Sequence, residues 1–148
     1  DSTYYPGEDT KLCLAIKEAG YRILYSPEIV VYHHRRNLFP FHFRQIANYA
    51  LHRGFFVKHY SETSLKLVYF LPSLFVVGLF GGWVVCLVFP LLWWVYGGVL
   101  ALYTVGGLIF SYGKGIQDKV VTFGAIFLSH VVYGVYFVKG LFKKELTR

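Results

Sequence analysis

Three groups of side chains in this sequence have the types and spacing to do chemistry. Glu8-Asp9 is an adjacent acidic pair directly after the turn-forming run Tyr4-Tyr5-Pro6-Gly7. A carboxylate there has two uses. It can cap the helix that follows, accepting a backbone N–H where the positive helix end favours its charge. It can also act as a general base at the mouth of a site, within hydrogen-bond reach of the proton it removes. Capping is the commoner use, and spacing alone leaves both open. His33-His34-Arg35-Arg36 is a dense cationic cluster. Neutral imidazole ligates divalent metals and guanidinium pairs with phosphate in bidentate fashion, so the cluster suits a metal-diphosphate. A basic patch facing a membrane fits the same charges equally well. Gln45 and Arg53 fall roughly on one side of a predicted helix, where spacing alone favours an ordinary solvated face. His130 lies within an apolar segment, where it is expected to hydrogen-bond a neighbouring helix in neutral form and receives no catalytic role. Cys13 and Cys86 show no metal-type spacing and read as two small buried hydrophobes that do not pair.

The elements that must position these groups are legible in part. Leu12, Ala15, Ile16 and Ala19 form one apolar helical face, and Gly20 supplies the stop. Tyr21–Tyr25 and Ile29–Tyr32 read as two short strands interrupted at Ser26-Pro27. Helix followed by strand is the pattern of an α/β domain near its end. Residues 41–60 form a basic amphipathic helix, with Phe43, Ile46, Ala47 and Ala50 on one face and Arg44, Gln45, Asn48 and His52 on another. Such a helix can lie in a membrane interface, or on the surface of a soluble domain; its closeness to apolar spans favours the interface.

Those spans dominate the chain. Residues 67–112 contain no Asp, Glu, Lys, Arg or His. About 20 apolar residues of helix cross a bilayer, so this run holds two spans. Phe89-Pro90 is the natural break, giving a hairpin of 67–88 and 91–112. Lipid leaves the backbone no partner but itself, so both segments must be helical. Residues 120–138 are a third apolar stretch just long enough to span. With 1–66 on the cytoplasmic side, a third span would carry the basic tail outside, against the positive-inside tendency. The segment therefore either spans or is interfacial or re-entrant, and its length and apolarity favour spanning. The composition, 55% hydrophobic and 20% aromatic with a net charge of +7, is that of a membrane protein. The hairpin argues against nucleic acid as the partner of that charge. The sequence has no Met and begins at Asp1 within what reads as a folded unit, so a longer protein with this chain at its C-terminal end is expected.

Taken together, GEDTKLCLAIKEAGYRILYSPEIVVYHHRR followed by FRQIANYALHRG resembles the C-terminal end of the catalytic domain of family 2 glycosyltransferases. The resemblance is to the bacterial and archaeal membrane-anchored enzymes of polysaccharide and glycolipid synthesis. It covers residues 1–60 by motif and the rest by hydropathy. It implies a GT-A fold, an α/β nucleotide-sugar-binding domain followed by membrane helices. In that family Asp9 would be the base toward the acceptor hydroxyl and Glu8 its partner shaping the acceptor site. His34, or His33, would reach a divalent metal, Mg²⁺ or Mn²⁺, or the diphosphate. Arg35 and Arg36 would lie near the diphosphate or lipid headgroups. Gln45 and Arg53 fall where processive relatives carry Gln-x-x-Arg-Trp, which is absent here, so single-sugar transfer is implied. The family's Asp-x-Asp metal motif is also absent from these residues, so most of the metal ligands would lie elsewhere and the chain alone would be inactive. The expected organisation is the end of a catalytic domain at 1–40, an interfacial helix and linker at 41–66, the hairpin at 67–112, and a loop, third apolar helix and basic tail at 113–148. The expected partners are a nucleotide-sugar donor, a lipid-linked or saccharide acceptor and membrane lipids, at the cell membrane with 1–66 cytoplasmic. A membrane anchor or assembly subunit without catalysis is the competing reading. A transporter or channel fragment is weaker, because the hairpin is uncharged and its paired glycines suit close packing.

Overall fold

A computed structural model describes residues 7–33, 38–113 and 115–146. Among the described residues there are α-helices and short helical turns and no strand. The α-helices are α1 (Glu8–Glu18), α2 (Phe43–His59), α3 (Ser61–Ser64), α4 (Leu71–Val88), α5 (Trp93–Phe110) and α6 (Ile116–Phe142). The chain divides into two compact units. One comprises Asp1–Tyr69 with Tyr136–Arg148, the other Phe70–Val135. α6 gives its last turns to the first unit and the remainder to the second.

In the first unit, α1 starts at Glu8 behind Gly7, whose φ of 137° favours glycine. It ends as expected at Gly20, where φ is 84°. There the Tyr21 N–H reaches the Ile16 carbonyl and the Gly20 N–H the Lys17 carbonyl, the two bonds of a Schellman motif. The predicted apolar face of α1 buries nothing: Leu12 is 62% exposed. Cys13, expected inside, is exposed, while Cys86 is buried and both are free thiols. The two predicted strands are also absent. Residues 21–33 run as irregular chain around a turn closed by the Ile29 N–H on the Ser26 carbonyl, with Leu24 90% and Tyr32 95% exposed. A strand is held by a ladder to a neighbour and by side chains across it. Among the described residues no second strand is present to supply either, so β-branched composition alone does not make one. The α/β element of the expected fold is therefore not formed by these residues.

α2 behaves differently. A π-helical turn at Leu38–His42 leads into it, and Ala47, Ala50, Gly54, Phe55 and Phe56 are buried. Its partner is the end of α6. A Cβ on Gly54 would run into the Phe137 carbonyl, and one on Gly140 into the Leu51 carbonyl. The two glycines let the backbones of α2 and α6 touch, and Phe137 is completely buried beside them. Ala47 and Ala50 lie inside as expected. His52, assigned by pattern to the polar face, is buried.

The second unit contains the hairpin. α4 ends at Val88, Phe89 leaves the helical region, and Pro90–Leu92 form a 3₁₀ turn before α5, so the break falls where the sequence puts it. The two helices run antiparallel. The rings of Phe75 and Tyr103 lie 4.8 Å apart, Gly82 abuts the Tyr96 ring, and the Tyr96 hydroxyl donates to the Leu79 carbonyl at 2.6 Å. A cavity of about 400 Å³ lies between them, lined by apolar side chains around Gly78, Gly82 and Val99.

α4, the segment Pro90–Phe110 and α6 are each long and apolar enough to cross a membrane. The contacts of α6 fall at the open end of the hairpin. Phe123 meets Gly107 and Tyr103, His130 meets Tyr103 and Phe75, and Gly134 meets Pro72. Phe75 faces Tyr103, so all of these lie at one level of the hairpin. Residues 123 and 134 are separated by about 16 Å of helix, yet both meet that level. α6 therefore crosses the hairpin's open end instead of running beside it. Two hydrogen bonds fix the crossing: the Ser73 hydroxyl donates to the Gly134 carbonyl at 3.0 Å, and the Tyr103 hydroxyl pairs with His130 Nδ1 at 2.8 Å. His130 thus has the neighbouring-helix partner expected of it.

Candidate functional site

The N-terminal tip of α1 meets one face of α2. Tyr49, His52, Arg53 and Phe56 recur at i, i+3, i+4 and i+7, so they form a single stripe on that helix. With Gly7, Asp9 and Thr10 they line a pocket of about 40 Å³. Asp9 is exposed and occupies the first turn of α1, two residues beyond the cap position, which Gly7 holds. Its Oδ1 accepts the Thr10 N–H at 2.7 Å. Glu8 is also exposed and does not line the pocket.

Arg53 is held from outside the pocket. Its guanidinium donates to the Ser64 hydroxyl at 3.4 Å and lies 4.7 Å over the Tyr69 ring. Ser64 is buried, sits 3.0 Å from the Thr63 hydroxyl, and belongs to the short turn α3. The four residues of α3 thus fix the reach of one arginine.

His52 is the group that the sequence misplaces. It is 8% exposed, packs edge-on against the Phe56 ring, and its Nδ1 is buried without a hydrogen-bond partner among the described residues. Burial lowers its pKa below the usual 6.5. The Lys143 ammonium pushes the same way, and the Glu8 carboxylate opposes them. The ring is therefore neutral at physiological pH. The signal for its burial is present in the sequence as the mixed aromatic and polar stripe 49, 52, 53, 56. It becomes decisive only once the α1 tip is known to sit there.

The other expected site residues do not join this pocket. Gln45 lies one turn before Tyr49 on the same stripe and does not line the pocket. His33 is exposed and also outside it. His34, Arg35 and Arg36 lie outside the described residues. No group of three His, Cys, Asp or Glu side chains comes together among the described residues. Of these two pockets, the larger hairpin cavity has an apolar lining, and the small one carries groups able to move a proton or hold a polar ligand. Comparison with protein-family models, curated proteins and solved structures finds no match to this chain.

Proposed function

We propose that this chain is the acceptor-side and membrane-attached part of an inverting, non-processive glycosyltransferase. The observation that carries the proposal is the meeting of Asp9 with Arg53 and His52 in one pocket, in a chain with helices long and apolar enough to cross a membrane. The motif resemblance of residues 1–60 supplies the reaction class. In that reaction the Asp9 carboxylate takes the proton of an acceptor hydroxyl as its oxygen attacks the anomeric carbon of a nucleotide sugar. The bond from that carbon to the diphosphate breaks, and the nucleoside diphosphate leaves with the electron pair. Residues beyond this chain hold the nucleotide and any metal. The stretch 21–32, whose Ile, Leu, Val and Tyr side chains are exposed, supports an α/β domain completed by such residues. Attachment to the bilayer brings the base to a lipid-linked hydroxyl, a proximity effect.

The proposal includes a topology. Asp1–Tyr69 and Tyr136–Arg148 belong to one compact unit, and α6 crosses the open end of the hairpin. The hairpin then crosses the bilayer twice, α6 lies along one interface, and both ends of the chain share a side, the cytoplasmic one by the positive-inside tendency. This removes the conflict raised by the basic tail. Single cysteines at Gly115 and Lys144, in a Cys13→Ser, Cys86→Ala background, should label from the same side with an impermeant maleimide. Labelling from opposite sides would establish three crossings and sink the topology.

The catalytic part is tested by expressing the chain with the polypeptide encoded in frame upstream. Transfer of labelled sugar from nucleotide donors into extractable lipid is then measured. Asp9→Asn should abolish transfer without altering membrane insertion. Near-normal transfer by Asp9→Asn would favour the anchor or assembly role.

A further inference from the structure

We infer that the cavity between α4 and α5 is a binding site for one unbranched acyl chain of a phospholipid, drawn from the leaflet at the hairpin's turn. The inference rests on the hairpin crossing the bilayer and not on the sugar-transfer reading.

The dimensions come first. The lining runs from Phe75 to Cys86 on α4 and from Leu92 to Tyr103 on α5. Eleven residues of helix measure about 16 Å, roughly half of a hydrocarbon core of about 30 Å, the depth that the tails of one leaflet fill. Spread over that length, a volume of about 400 Å³ makes a passage roughly 5–6 Å across. Carbon packs against carbon at about 4 Å, so one chain fits in single file. A helix with its side chains is about 10 Å wide and does not enter, which excludes a second copy of α4 or α5 as the occupant. Water is excluded by chemistry, because the apolar walls give it too few partners. A hydrocarbon chain is what the surroundings of two spans supply. It gains the dispersion contacts that a gap forfeits. Midway along, the Tyr96 ring lies against Gly82, anchored by its hydroxyl on the Leu79 carbonyl. That ring leaves less room for the methyl branches of an isoprenoid than for an unbranched chain.

The two ends of the cavity differ, and the difference orients the lipid. At the Phe75–Tyr103 end, α6 crosses. Its Phe127 ring lies 5.9 Å from Phe75 and 6.4 Å from Tyr103, and His130 bonds the Tyr103 hydroxyl. This aromatic cluster covers that end, so the terminal methyl of the chain lies against it. At the other end, Cys86 and Leu92 sit beside the turn, where Trp93 and the 83% exposed Trp94 follow. Tryptophan suits the level of the headgroups, and the glycerol and headgroup of the lipid lie there. The site thus opens on the face of the membrane opposite to the α6 end of the hairpin.

The test reads retained lipid by native mass spectrometry on the full chain, released from phosphatidylcholine nanodiscs. Wild type should carry a single phosphatidylcholine. Gly78 lines the cavity, and a Cβ there meets nothing within 4 Å. Gly78→Leu should therefore fill the passage and remove the lipid. Gly98 has equally open surroundings but does not line the cavity, so Gly98→Leu should keep it. Phosphatidylcholine with a diazirine at the end of its chain should label Phe75 or Tyr103, and with a diazirine near the ester, Cys86 or Leu92. Equal retention by wild type and Gly78→Leu would overturn the inference. Loss in both variants would trace retention to the fold of the hairpin and overturn it as well. Labels in the reverse order would move the headgroup to the α6 end and overturn the leaflet assignment. Displacement by an equal amount of polyprenyl phosphate would make this an isoprenoid site and overturn the acyl one. No sugar transfer enters the readout, so the result stands apart from that of Asp9→Asn.

Discussion

α1 and α2 carry similar sequence patterns and meet different fates. Both show apolar residues at helical spacing. α2 buries Ala47, Ala50 and Phe56, whereas α1 buries none of its residues. The difference is the partner. α2 has the last turns of α6, brought to backbone contact by Gly54 and Gly140. α1 offers its face to nothing within the described residues and makes its contact through its tip. Periodicity states which face of a helix can be buried; the rest of the chain decides whether it is. For α1 the useful end is the first turn, where Asp9 reaches the α2 stripe.

The comparison can be broken at several points. The largest effect expected is on catalysis at the α1 tip: Asp9→Asn should lower sugar transfer by roughly 10²–10⁴, the usual contribution of a positioned base. Next is the α2 seam. Gly54→Leu places a side chain against the Phe137 carbonyl and should destabilise the first unit by about 1–3 kcal/mol or more, read as a lowered thermal midpoint in nanodiscs. An unchanged midpoint would mean that α2 and α6 do not touch there. A smaller effect is the pH dependence contributed by His52. Its folded pKa lies below the unfolded 6.5, so the stability it confers is present above pH 6.5 and is lost as pH falls through the folded value. His52→Leu should flatten the fall in stability below pH 6.5, and an identical acid limb in wild type and variant would place the histidine outside the core. The smallest is Leu12→Ala on the open face of α1, expected within about 0.5 kcal/mol of wild type. A loss of several times that would show α1 to be covered after all.

The local punctuation of this chain was readable. Phe89-Pro90 divides the hairpin because proline cannot continue the ladder, and Gly20 ends α1 because its left-handed conformation suits glycine. What depends on a partner was not readable. Ile29–Tyr32 has strand composition, but a strand requires a second one. His52 belongs to a polar-looking helix face and is buried, beside the Phe56 ring and at a pocket it shares with the α1 tip. The placement of α6 is a third case. Its apolarity licenses a span, but the angle follows from packing at Ser73, Tyr103 and Gly134, which hydropathy does not encode. Asp9 and Arg53 were named from sequence and do share the pocket, while His33 and Gln45 do not line it.

The crosswise lie of α6 has a consequence for the bilayer. In the proposed topology the hairpin takes up area in both leaflets and α6 in one. A helix of 27 residues is about 40 Å long and about 10 Å wide, so in one interface it occupies on the order of 400 Å² of a single leaflet. In that topology the mismatch in area would act on the bilayer as a wedge. Many copies crowded together would expand one monolayer against the other and bend the membrane toward that side, and a membrane already curved that way would gather them.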